Sequence, residues 1–300
     1  MKLRKTKQEK SREPDFTIVG TGQLARVLVH ALHDAGYRIR EIVSRDLPES
    51  RHRAQRLARH VKARATVLAG AEFSAAVIWL CIPDDFIPQC TRAIVEAKSN
   101  WAGQTTVHSS GALSSRELKP FGMAGGIIAS AHPLMSFVPN SPATLKDVPI
   151  ALEGDARAVA LLTPVLRRTR ASVFKIDEAR KAAYHAFGSF ASPLLIAYLK
   201  QMEAAGELAG LERKAARERA GAILQQTLTN YLQEGPENAF SGPLRRGDVG
   251  TVRKHLQVLQ QNPKLIDFYR ELVRIALREL PVKNRQEIEG LLEHRVKTNC

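Results

Sequence analysis

The sequence predicts an α/β protein: a mostly parallel β-sheet covered by helices, with a second, all-helical C-terminal domain. Three observations predict it. Residues 15–29, DFTIVGTGQLARVLV, carry a short apolar strand through a glycine turn into a stretch with helical apolar spacing. Near-continuous apolar runs of strand length then alternate with helical stretches as far as residue 177, as expected of a parallel sheet buried on both faces. From residue 178 the strand pattern stops and long helical patterns replace it.

The elements follow in order. Residues 16–20 read as a strand, 23–35 as a helix and 38–43 (RIREIV) as a second strand. The basic stretch 49–62 is a helix with Leu57 and Val61 on its apolar side, and ATVL follows as a short strand. AAVIWLCIP at 75–83 is the most hydrophobic strand, TRAIVEAK the next helix, and TTVHSSG at 105–111 a strand and turn. GGIIASAHPL at 125–134 is a further strand. PIALEG (149–154) and SVFKI (172–176) flank the helix ARAVALLTPVLRRT and either complete the sheet or extend its edge. Beyond 178, EARKAAYHAFGSFASPLLIAYLKQMEAAG is one helical pattern with a break expected near Pro193. LERKAARERAGAILQQTLTNYLQEG and KLIDFYRELVRIALREL are two more, and SGPLRRGDVGTVRKHL between them is a glycine-rich loop entering a short helix. The expected organisation is a basic, disordered tail at 1–14, a dinucleotide-binding domain at 15–177, a helical domain at 178–285 and a charged, frayed tail at 286–300.

Composition narrows the function classes. Hydrophobic residues at 44% and charged residues at 25% suit a folded soluble domain, and no run approaches the ~18 apolar residues of a membrane span. The first twelve residues lead into no apolar segment of the kind a secretory signal has. Cys81, Cys90 and Cys300 give neither a disulfide framework nor a metal-ligand spacing, so the cytoplasm is the expected location, and Cys81 reads as a small buried hydrophobe. The formal charge of +15 is spread over the N-terminal tail and several helices. Such a surface attracts polyanions, but no nucleic-acid-binding motif accompanies it, and a small phosphorylated ligand suits the charge as well.

GTGQLA at 20–25 matches G-x-G-x-x-A between strand and helix. Gly20 permits the tight turn, Gly22 lets a pyrophosphate approach the backbone, and Ala25 lets helix pack on strand; Thr21, Gln23 and Leu24 complete the cofactor-binding turn. The second strand ends in Ser44 and Arg45 where an NAD site commonly has an acid. A hydroxyl beside a guanidinium suits a 2′-phosphate, so NADP is favoured over NAD, with Asp46 keeping NAD open. Arg51 and Arg53 add positive potential or face water. Ile82 and Pro83 leave the fourth strand beside the nicotinamide end, and Asp84 and Asp85 are candidates to cap the next helix.

Three places offer groups for substrate or proton transfer. His108, directly after a strand, is a candidate general acid, with Ser109 and Ser110 holding a carboxylate or carbonyl oxygen. His132 follows the next strand. On the long helix, Lys181, Tyr184, His185, Gly188 and Ser192 recur at spacings of three or four and can share a face, making Lys181 and His185 candidate proton donors. The bland alternative is a closely packed helix with Lys181 in solvent. Arg245 and Arg246, between glycines, can clamp an anionic substrate, with Asp248 capping or fixing an arginine.

GTGQLA, HSSG at 108–111, HPL at 132–134, YH at 184–185 and GPLRRGD at 242–248 together resemble bacterial proteins that pair a Rossmann-like domain with a DUF2520 domain. More distantly the chain is similar to the superfamily of pyrroline-5-carboxylate reductase, deazaflavin-dependent NADP reductase and the 6-phosphogluconate and 3-hydroxyisobutyrate dehydrogenases. The resemblance spans roughly residues 15–280. It implies a Rossmann-type sheet and a homodimer formed through the helical domain; with the site residues above, the expected activity is NADP(H)-dependent hydride transfer to or from a small anionic carbonyl or imine. In that superfamily a Lys and an Asn on the first long helix of the second domain often carry catalysis. Lys181 is a loose match, and Pro193 stands where related sequences tend to have Asn. A non-catalytic NADP(H)-binding sensor or scaffold is therefore the alternative reading.

Overall fold

The computed structural model describes residues 13–293. Most of the expected basic tail, the end of the charged tail and Cys300 lie outside the described residues. The chain divides into two compact units, Met1–Ser192 and Pro193–Cys300.

The first unit is an eight-stranded sheet. In chain order it contains β1 (Phe16–Val19), α1 (Gln23–Asp34), β2 (Ile39–Ser44), α2 (Pro48–Val61), β3 (Arg64–Val67) and β4 (Val77–Leu80). There follow α3 (Ile87–Glu96), β5 (Thr105–His108), α4 (Lys119–Met123), β6 (Ile127–Pro133), β7 (Pro149–Gly154), α5 (Ala156–Arg168), β8 (Ser172–Lys175) and α6 (Lys181–Ala191). The spatial order is β3-β2-β1-β4-β5-β6-β7-β8. All neighbours are parallel except β6 and β7, so the two late strands extend one edge through a single antiparallel step.

Strand alternation fills both faces, as the Rossmann-type expectation requires. On β4, Val77 and Trp79 join the core beneath α1, α2 and α5, whereas Ile78 and Leu80 join Ile87, Ile94, Trp101 and Phe121 on the opposite face. Asp15 ties three strands at the start of the sheet, accepting from Ala76 N–H (2.8 Å) and from Arg40.

The second unit is all helical: α7 (Pro193–Leu208), α8 (Arg213–Ala239), α9 (Pro243–Arg246), α10 (Val249–Leu259), α11 (Pro263–Glu279) and α12 (Arg285–Glu293). Its core joins Val252, Leu256, Ile266, Val273, Leu277 and Ile288. Helix α8 kinks at Gly235, whose φ of 76° only glycine adopts easily and which precedes Pro236.

Two expected boundaries move. The units part at Ser192/Pro193, not near 177, because the side chain of Lys181 at the start of α6 is buried in the first unit. The expected break near Pro193 is present: Ser192 leaves helical geometry (φ −129°, ψ −81°) and Pro193 opens α7, where a missing N–H costs nothing. The expected fraying from 286 is also corrected, since Ile288 and Leu292 bury themselves and hold α12 in place.

Candidate functional site

The glycine turn lies at the carboxyl end of β1. Gly20 has φ +120°, and a Cβ there would sit 2.2 Å from the carbonyl oxygen of Cys81, so the chain leaving β4 passes directly over it. Gly22 is different: it N-caps α1, and a Cβ on it would meet nothing within 4 Å. No side chain caps α1 and no acid lies in its first turn. The first N–H groups of α1 therefore have no side-chain cap at a positive helix end, and Gly22 leaves room beside them, which suits a pyrophosphate. Behind the turn, Gln23 is held by Arg26 (3.1 Å), Leu24 is half-buried, and Ile82 and the exposed Pro83 continue the β4 crossing.

The end of β2 departs from the sequence reading in one respect. Ser44 is buried and its hydroxyl donates to Arg45 O (3.1 Å), so it closes the strand end against the backbone. Arg45 is exposed, and among the described residues no salt bridge engages it. Arg51 pairs with Asp46 instead. Arg53 reaches from α2 to Thr21 Oγ1 (3.5 Å) and Ser50 Oγ (3.2 Å), placing a second guanidinium beside the glycine turn.

The loop after β5 is a bonded node. His108 is fully buried: its Nε2–H donates to Ser114 O (2.9 Å) and its Nδ1 accepts from Ser110 N–H (3.1 Å). Both nitrogens are thus occupied in one neutral tautomer. Burial pushes its pKa down to about 4, with Ser114 O opposing and the Lys181 charge adding. In this arrangement His108 is shut off from solvent with both ring nitrogens engaged by the loop. Ser109 Oγ accepts the indole N–H of Trp79 (2.8 Å). Ser110 Oγ donates to Asp84 Oδ2 (2.6 Å) and accepts from Leu113 N–H (2.9 Å). These serines shape the loop, and their hydroxyls are already engaged. Asp84 accordingly serves the loop, and no side chain caps α3, which corrects the capping expectation.

His132, near the end of β6, has a different exposure. Its Nδ1–H donates to Ser109 O (3.1 Å), which leaves Nε2 without a partner among the described residues. Its pKa is lowered, first by burial and then by Lys181 and His185, against Ser109 O and Asp84. A Cβ on Gly111 would lie 2.3 Å from His185 Cδ2 and 2.9 Å from His132 Nε2, so this glycine is the floor on which the two imidazoles meet. The phenol ring of Tyr184 lies edge-on to His132 at 6.4 Å.

Lys181 does not face solvent. It is 2% exposed, and its ammonium donates to Ser110 O (3.0 Å) and Ser130 Oγ (2.5 Å), 3.8 Å from Glu153 Oε1. Gly188 continues the packed side of α6 against Leu134, whereas Ser192 has left the helix. Burial lowers the Lys181 pKa, with Glu153 and Asp84 opposing. Sequence reasoning passed over Glu153, although an acid just before the glycine of an apolar strand was a usable signal. Burial raises the thiols of Cys81 and Cys90 to about 12 and about 11, so neither is a ready nucleophile.

In the second unit, Arg245 donates to Glu237 O (2.7 Å) and Arg246 forks onto Asp248 (2.7 and 3.0 Å), so Asp248 fixes an arginine as expected. Gly247, at φ +74°, packs against Lys283.

Residues 5–133 match the model of a Rossmann-like domain, and residues 148–275 match DUF2520, a domain of unknown function. The chain thus matches a Rossmann-like domain and, after it, a DUF2520 domain. No curated protein matches its sequence. Among solved structures it is similar to a Thermotoga maritima protein (24% identity, covering 92% of this chain and 98% of that one, TM-score 0.69). It is also similar to an Aspergillus terreus reductive aminase in complex with NADPH and ethyl-5-oxohexanoate (16%, 93% and 99%, TM-score 0.63). A Myxococcus stipitatus imine reductase in complex with NADP+ is a third (15%, 88% and 94%, TM-score 0.64). At these identities the likeness establishes the fold. The DUF2520 segment begins at β7, so Glu153, Lys181 and His185 belong to it while Gly111 and His132 belong to the Rossmann-like segment. The two imidazoles on Gly111 thus come one from each.

Proposed function

We propose that this protein is an NADP(H)-dependent oxidoreductase that transfers a hydride to or from a small anionic carbonyl or imine compound. One observation carries the reading: the open glycine turn, the β4 crossing, the Ser109–Gly111 loop and His132 all lie at the carboxyl ends of neighbouring parallel strands, where open α/β sheets bind ligands. Gly22 and the start of α1 are suited to the pyrophosphate. Arg45 and Arg53 are suited to the 2′-phosphate, and this pair of guanidiniums favours NADP over NAD. When bound, the dinucleotide supplies the hydride.

The chain supplies the proton handling. His132 presents a bare Nε2, which accepts a hydrogen bond or a proton from the substrate. His185 is exposed beside it and is placed to exchange a proton with water.

We also propose a cytoplasmic homodimer formed through the helical unit. Ile223, Leu228, Tyr231 and Leu232 on α8 are exposed, Leu232 by 80%, and a second copy of the chain is the proposed cover. No helix among the described residues is long and apolar enough to cross a membrane.

The test is calorimetric titration with NADPH and NADH, followed by turnover assays on small keto and imino acids. NADPH binding with turnover supports the enzyme. NADPH binding without turnover on a broad panel favours the sensor or scaffold, a reading that the engaged hydroxyls of Ser109 and Ser110 also suit.

A further inference from the structure

Lys181 and Glu153 are opposite charges buried side by side, 2% and 6% exposed. The ammonium holds three parts of the site together. Its first acceptor, Ser110 O, belongs to the loop whose preceding carbonyl, Ser109 O, receives the Nδ1–H of His132. Its second, Ser130 Oγ, lies on β6 two residues before His132, on the same face of the strand. Its own backbone opens α6, which presents Tyr184 and His185 at the next turn of the helix. Glu153 holds the ammonium from β7 and is itself anchored by Ser115 N–H and Ser115 Oγ–H, each at 2.7 Å.

We infer that Lys181, held by Glu153, is the positioning residue of the His132–His185 pair, fixing the loop so that His132 donates from Nδ1 and presents a bare Nε2. Lys181 acts through that imidazole and passes no proton itself. The inference rests on the reading of this edge as the reaction site, but its test needs no substrate.

The groups facing His132 are His108, Asp84, Lys181, His185 and Tyr184. The Lys181 ammonium, paired with Glu153, disfavours protonation of His132 while Asp84 favours it. A purely structural lysine would affect stability and leave the His132 tautomer alone.

The experiment is a 15N NMR titration of the histidine rings in the full chain, comparing wild type, K181M and K181M/E153Q. The double variant removes both buried charges, so it keeps the test available if K181M leaves Glu153 unpaired and fails to fold. In folded K181M/E153Q, His132 is expected to lose its single Nδ1–H tautomer and to titrate at higher pH than in wild type. An unchanged tautomer and titration, with or without a loss of stability, would overturn the inference. Titration of the wild type with NADPH tests the functional reading separately: failure there removes the oxidoreductase and leaves the NMR outcome interpretable.

Discussion

His132 and His185 meet edge to face, with ring centroids 5.5 Å apart and planes at 82°, and Gly111 lies beneath both. The pair exists because the residue below them has no side chain. Gly111→Ala would place its methyl 2.3 Å from His185 Cδ2 and 2.8 Å from His132 Cε1. One or both rings must swing away, at a cost of about 1–3 kcal/mol in stability. The expected outcome is a folded variant with displaced histidine ring resonances and impaired turnover. Unperturbed rings would show that the contact is incidental.

The two glycines of the cofactor turn are expected to separate fold from function. Gly20→Ala forces a non-glycine residue to φ +120° and drives a methyl into Cys81 O, so a loss of roughly 2–4 kcal/mol is expected in urea unfolding. Gly22→Ala meets no protein atom and should cost less than about 1 kcal/mol. It should nevertheless weaken NADPH binding by about tenfold or more, since tenfold corresponds to only about 1.4 kcal/mol. Equal stability losses at both positions would contradict this division.

His108 should make the protein acid-sensitive. Its folded pKa, about 4, lies below the ordinary 6.5, so the unfolded chain takes up the proton first as pH falls. Stability is complete above about pH 6.5 and is lost progressively down to about pH 4, by about 3 kcal/mol for a shift of this size. Chemical denaturation across that window should show the slope, and H108Q should lack this component. A wild-type curve that is flat from pH 7 to 4 would remove the assignment.

In the helical unit, Glu203 accepts from Arg217 and Lys200, which hold its carboxyl down at about 2, so α7 and α8 should stay joined well into the acid range. On the outer face, Leu232→Glu should shift sedimentation from dimer toward monomer without loss of helical circular dichroism. A monomeric wild type, or a variant that stays dimeric, would refute α8 as the interface.

The sheet was legible in the sequence because its strands are short apolar runs divided by turn residues. The Gly20 turn was legible because a positive φ beneath a crossing chain requires glycine. The ends of the helical unit were less so: α12 looks like a charged tail until Ile288 and Leu292 find a core. At the site, spacing nominated His132, His185 and Lys181 but could not tell which polar groups were already engaged. Ser109, Ser110 and His108 look free on paper, yet their partners come from Trp79, Asp84 and Ser114, contacts set by packing. Lys181 reads as a surface charge until Glu153, on a strand nearly thirty residues earlier, is brought against it.

The most direct test of the central claim is calorimetric titration of the full chain with NADPH and NADH, on wild type, Arg45→Ala and Arg53→Ala. Wild type is expected to bind NADPH at least about tenfold more tightly than NADH, and each substitution to erode that preference while leaving NADH affinity nearly unchanged. A wild type that binds neither nucleotide, or binds both equally and is indifferent to both substitutions, would contradict that claim.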